Sequence, residues 1–218
     1  MRRSFLLPKK SSSFVIGERT FPSVKNMEKN LDSEIWQRFI NGDEKAFSYI
    51  FDTCHLQLFE YGQRFTSDEN LVLDSIQDLF FELARKREKL SPTDNILFYL
   101  LKSLRLKIFN NLRKVRNIDS DIQADQVDEF RLDYSTEVDS EEKELKLDRL
   151  AEAINQLPPR QKETIYLKFY KNLSNAEVAE VMQVNYQSVG NSIQKAIQKL
   201  KAILDSDSII LFFQTRIR

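Results

Sequence analysis

The chain is expected to be all-α: two small helical domains joined by an acidic flexible linker, the second carrying a helix-turn-helix. Three observations lead there. Only 4 glycines and 5 prolines punctuate 218 residues, too few for the turns that sheets require. Apolar residues recur at spacings of three and four, the period of a helix with one buried face. Charge is also partitioned. The 33 basic and 33 acidic residues cancel overall, yet residues 85–116 hold ten basic against two acidic, and 119–148 hold twelve acidic against three basic. A chain of this length can bury two separate cores.

Residues 1–26 are basic, Ser-rich and without helical period, which reads as a disordered extension or an upstream start that is not used. After Met27, Ile35, Trp36, Phe39 and Ile40 share one helical face, Gly42 ends that helix and Asp43 is placed to cap the next. The second helix carries Ala46, Phe47, Ile50, Phe51, Cys54 and Leu58 inward. A third, over roughly 69–87, follows the Thr66-Ser67-Asp68 break and buries Val72, Ile76, Leu79, Phe80 and Leu83. A fourth, after Pro92, aligns Leu97, Leu101, Leu104, Ile108, Leu112 and Val115. Residues 119–144 have no sustained period and read as the linker, with helix resuming by about Leu145. The expected divisions are 1–26, 27–118, 119–144, 145–204 and a tail, 205–218.

The second domain has its own punctuation. Ser174 with Glu177 forms a capping box for a helix running to about Met182, and Asn185 can cap the next one. On that last helix Val189, Ile193, Ala196, Ile197, Leu200 and Ile203 point one way, while Gln187, Ser188, Asn191, Gln194, Lys195 and Gln198 point the other. Amide side chains pair bidentately with adenine, and lysine reaches guanine or phosphate, so this face has what a helix in a major groove needs. A solvated helix face is also polar, and the pattern by itself leaves both readings open. Tyr186 stands beside this face at the helix start.

The fourth helix carries a different chemistry. Asn95, Phe98, Tyr99, Lys102, Arg105, Arg113 and Arg116 flank its apolar stripe and mix rings with cations. A surface that holds an unstacked strand needs both, rings for bases and cations for phosphates. On the third helix Asp74, Gln77, Asp78 and Phe81 lie away from the core stripe, and a phenylalanine among acids suggests a partner surface.

These residues in this order resemble a known family. The run LPPRQKE (157–163), followed by the capped helix-turn-helix, resembles region 4 of a sigma factor of the extracytoplasmic-function (ECF) group. INGDEKAFSYIF (40–51) resembles the start of that family's region 2, and DSIQDLFFELARK (74–86) its polymerase-binding helix. The resemblance implies core RNA polymerase (β′ clamp and β flap) and promoter DNA as partners, with an anti-sigma factor at the membrane as a further one. It implies that Tyr186, Gln187, Ser188, Asn191, Gln194 and Lys195 meet the −35 element. Asn95, Phe98, Tyr99, Lys102 and Arg105, with the loop before them, would meet the −10 element, and Asp74, Gln77, Asp78 and Phe81 would meet polymerase. Gln183 stands where the family usually has glycine in the turn, so a distorted turn is expected, and Gly190 should weaken the last helix.

Other classes fit less well. A helix-turn-helix regulator acting without polymerase is the alternative, but no receiver-like alternation of strands and helices is visible. Enzyme activity is not expected: there is no GxxxxGK[ST] run and the acids gather in the linker. Cys54 and His55, each the sole residue of its type, make no disulfide and no metal set, so neither metal nor cofactor nor small-molecule substrate is expected. The start MRRSFLLPKK has an apolar run of only three residues, and Ile209 to Phe213 is too short to span a bilayer, so a cytoplasmic location is expected.

Overall fold

The computed structural model describes residues 24–116, 129–131 and 141–204, with side chains for 29–115, 129–131 and 148–204. Among the described residues every regular element is helical. The first unit comprises α1 (Val24–Ile40), α2 (Glu44–Gln63), α3 (Glu69–Lys86) and α4 (Ile96–Arg116). The second comprises α5 (Glu141–Asn155), α6 (Pro159–Ile165), α7 (Asn175–Met182) and α8 (Tyr186–Ile203).

The punctuation explains the first unit. Gly42 takes φ +92, a left-handed value that closes α1, and Asp43 accepts from the backbone N–H groups of Lys45 and Ala46 to open α2. Asp68 does the same for α3 through the N–H of Leu71 at 3.1 Å. Gly62 is required by proximity: a Cβ there would lie 2.5 Å from Cγ1 of Val72, so α2 and α3 touch backbone to side chain. Trp36, Ile50, Leu58, Val72, Ile76, Leu100, Leu104 and Ile108 fill the space between the four helices.

In the second unit α6 and α7 cross α8, whose Val189, Ala196 and Leu200 are buried. Leu150, Ala153 and Ile154 bring α5 onto the same core. One turn of π-helix, Tyr166–Tyr170, extends α6 and turns Tyr166, Leu167 and Phe169 inward.

Several expectations shift. α1 begins at Val24, inside the segment read as disordered; no Pro or Gly lies between Val24 and Met27, so the helix winds back from its anchored face. α5 begins at Glu141, four residues before Leu145. Val115, expected on the stripe of α4, is 71% exposed because α4 has outrun the helices it packs against, and Ile203 at the end of α8 is exposed for the same reason. Phe51 is 39% exposed and touches Phe80, ring centroids 4.9 Å apart. The extension 1–23, most of the linker and the tail 205–218 lie outside the described residues.

The linker residues that are described, 129–131, are anchored. Phe130 is 1% exposed and packs against Tyr61, Phe65 and Tyr166, and the Arg131 N–H donates to the Arg64 carbonyl at 2.9 Å. Phe130 thus sits where the two units meet. There the rings of Tyr61 and Tyr166 stack 5.8 Å apart, and α4 packs on α7.

Candidate nucleic-acid interface

The helix-turn-helix is built as its capping residues dictate. Both halves of the α7 capping box form: the Glu177 N–H donates to Ser174 Oγ at 3.2 Å, and the Ser174 N–H to Glu177 Oε2 at 2.7 Å. Gln183 makes the turn at φ 56, ψ 43, so the turn has the left-handed form that glycine would give it. The expected distortion is absent; the glutamine itself adopts the costly conformation. Asn185 Oδ1 then accepts from the Ser188 N–H at 2.7 Å and opens α8.

Among the described residues nothing covers most of the polar face of α8. Tyr186, Gln187, Asn191, Gln194, Lys195 and Gln198 are exposed and Ser188 is half-buried, whereas Ile193 and Ile197 pack against the core. Thr164 of α6 and Ser192 of α8 share a hydrogen bond of 3.0 Å that ties the two helices together. Beside it a cavity of about 400 Å³ has an apolar floor that includes Pro158, Met182, Val184 and Val189, with Arg160, Gln161, Asn191 and Lys195 also lining it, so the N-terminal half of α8 fronts an open groove.

The loop before α4 is braced by α1. Trp36 Nε1 donates to the Ser91 carbonyl at 2.9 Å, Asp32 Oδ2 accepts from the Ile96 N–H at 2.8 Å, and Asn95 Oδ1 caps α4 through the Phe98 N–H at 3.0 Å. Tyr99 is half-buried, its ring 4.9 Å from Trp36. Phe98 lines a cleft of about 730 Å³ together with Lys29, Ser33, Pro92, Thr93 and Asp94 of the first unit and Ser174 and Glu177 of the second.

Three of the five residues expected on this side are engaged by acids of the second unit. Asn95 Nδ2 donates to Glu177 Oε1 at 2.6 Å, Lys102 pairs with Glu180 at 2.9 Å, and Arg105 pairs with Glu163 at 2.7 Å. Arg105, expected to face a strand, is instead 2% exposed, and Tyr61 Oη also donates to Glu163 at 2.7 Å. The physical reason is that an acid buried among aromatic rings requires a cation and a donor, and Arg105 with Tyr61 supplies them. Burial works to raise the Glu177 carboxyl, but hydrogen bonds from Ser174 and Asn95 outweigh it and hold the group below the ordinary range.

Glu163, Tyr61 and Phe130 were not singled out by the sequence. A signal was there: Glu163 precedes Tyr166 and Leu167 at spacings of three and four, so it lies on the buried face of its helix.

On α3, Asp74, Gln77, Asp78 and Phe81 are all exposed, Phe81 at 67%. Leu73, also exposed, continues the row through Gln77 to Phe81 at steps of four, a strip of apolar and amide side chains bordered by carboxylates. Among the described residues no helix is long and apolar enough to cross a membrane, and no group of three or more His, Cys, Asp or Glu is placed to hold a metal ion.

Fold and site define a two-unit helical protein with a helix-turn-helix at its C-terminal end. Residues 147–200, within the second unit, match the family described as Sigma-70, region 4. The fold is similar to that of CnrH, solved in complex with the cytosolic domain of CnrY, with TM-score 0.53 and 21% identity over 81% of this chain and 98% of that one. It is also similar to the sigma factor RpoE from Bartonella quintana, solved in complex with the anti-sigma factor NepR, with TM-score 0.54 and 20% identity over 75% of this chain and 99% of that one. No curated protein sequence matches the chain.

Proposed function

We propose that this protein is an ECF-type sigma factor, a dissociable subunit that brings core RNA polymerase to promoter DNA and has no catalytic residues of its own. The observation that carries the reading is the conjunction in one chain of a match to sigma-70 region 4 at 147–200 with a four-helix unit, in a fold shared with a sigma factor over most of its length. In this reading the exposed amide face of α8 (Gln187, Asn191, Gln194, with Tyr186, Ser188 and Lys195) reads the −35 element. The loop before α4, with Asn95, Phe98, Tyr99, Lys102 and Arg105, holds the opened −10 strand. The strip on α3 (Asp74, Gln77, Asp78, Phe81, extended by Leu73) docks on the β′ clamp, and region 4 meets the β flap. The protein works where polymerase works, in the cytoplasm, and an anti-sigma protein is a fitting regulator because the similar RpoE structure holds one.

Run-off transcription with purified core polymerase tests the whole reading: the protein should confer promoter-specific initiation that core alone lacks. DNA binding without any such activity would favour the regulator alternative. For the docking strip, Gln77→Ala with Phe81→Ala should weaken core binding by about tenfold or more while leaving the helical circular dichroism unchanged, since an exposed aromatic at an interface centre often carries over 1 kcal/mol. Unchanged affinity would remove α3 from the interface.

A further inference from the structure

The contacts that join the two units use the same groups that the −10 reading assigns to DNA. Asn95, Lys102 and Arg105 each meet one carboxylate, from Glu177, Glu180 and Glu163. Those three acids come from α6 and α7, so the second unit presents to α4 a row of negative charge, the kind of charge a phosphate backbone presents. The cleft beside Phe98 is walled on its far side by Ser174 and Glu177, so a base entering from that side meets α7 first.

We propose that this arrangement is an intramolecular latch: the acids of α6 and α7 occupy the strand-holding face of α4, so that single-stranded DNA and the second unit compete for Asn95, Lys102 and Arg105. The inference rests on the reading of α4 as a nucleic-acid face.

The parts of the latch are unequal. Lys102–Glu180 has side chains 39% and 57% exposed, so water and salt compete with it and it aligns more than it holds. Arg105–Glu163 has side chains 3% and 0% exposed, with the Tyr61 hydroxyl donating to the same carboxylate. Removing one member of such a set leaves an uncompensated buried charge, which drives the units apart to rehydrate it. Lys171, with its Nζ 3.4 Å from Glu60 and 5.5 Å from the Tyr166 ring, ties the second unit to α2. Opening therefore frees the cations of α4 only when Glu163 leaves with the second unit, and the latch is released as one piece.

The test uses the full chain. Small-angle scattering reads whether the units are apart, and anisotropy of a fluorescein-labelled twelve-nucleotide single strand reads the α4 face. The variants are Glu163→Gln and, separately, Glu177→Gln with Glu180→Gln. The double variant keeps a capping residue at 177, since glutamine serves there as glutamate does. Glu34→Gln with Asp52→Asn, both exposed and on α1 and α2, controls for lost negative charge. Glu163→Gln should expand and should bind the strand about tenfold more tightly than the control, the factor for a latch that leaves about a tenth of the molecules open, and Glu177→Gln with Glu180→Gln should do both to a smaller extent. A wild type already extended in solution overturns the latch, as do two latch variants that neither expand nor outbind the control. Expansion without measurable strand affinity in any variant overturns the competition together with the strand-holding reading of α4, and upholds only closure of the units by these acids.

Discussion

Gln183 makes a turn that glycine makes at lower cost. Its φ of 56 places Cβ against the following carbonyl, a penalty of roughly 1 kcal/mol for a residue with a side chain. The fold tolerates this because the units on either side are fixed independently, by the capping box before and by Asn185 after. Gln183→Gly should accordingly raise stability to urea by about 0.5 to 1 kcal/mol, and a decrease would mean that the exposed glutamine side chain has a partner. Gly190 poses the opposite case. A Cβ added there meets nothing within 4 Å, so Gly190→Ala should stabilise α8 by about 0.5 to 1 kcal/mol in thermal unfolding. Lower affinity for promoter DNA in that variant, with stability raised, would show that the DNA backbone comes close to the helix at this residue. Both residues were visible in the sequence as departures from a pattern, but whether a departure bends the backbone or strains one residue depends on how firmly the neighbours are held.

Elements were legible wherever one face alone decided them. The stop at Gly42, the starts at Asp68, Ser174 and Asn185 and the buried stripes of α2, α3 and α8 follow from local rules, because caps and amphipathic period act within a few residues. Val115 was misread because period says which way a residue points, not whether a neighbouring helix reaches that far. The burial of Arg105 was missed for a related reason. On the helical wheel it flanks the stripe of α4, and only the docking of α6 decides whether that flank is solvent or interface. The amide face of α8 has no such second partner among the described residues, so its prediction stands on simpler ground. Replacing Gln187 or Asn191 with Ala should cost about 1 to 3 kcal/mol at the preferred −35 sequence and relax selectivity at one or two base positions. Lys195→Ala should weaken binding to all sequences and lower the salt slope by about one. Promoter-library transcription and binding at several salt concentrations separate the two. Unaltered preference in the amide variants would mean that α8 docks by another face.

At the scale of the whole molecule, closure depends on a junction that mixes aromatic burial with charge, and the two respond differently to solvent. Tyr61, Phe65, Phe130 and Tyr166 form a continuous ring cluster between the units, with centroids 5.0 to 6.3 Å apart. Phe130 belongs to neither helical unit and comes from the acidic segment between them, so it ties the connection itself into the junction. Its truncation to Ala should remove about 3 to 5 kcal/mol, the usual range for a buried phenylalanine, and that loss falls mainly on closure because its ring partners are drawn from both units. The charged pairs respond to salt according to exposure: Lys102–Glu180 is screened, whereas Arg105–Glu163 is shielded from solvent ions by the rings around it. Wild-type scattering should therefore change little between about 0.05 and 0.5 M salt, a range over which the Debye length falls several-fold. Phe130→Ala should expand at both concentrations. Wild type that opens steadily with salt would instead mean that exposed charge holds the units together and that the aromatic cluster merely fills space.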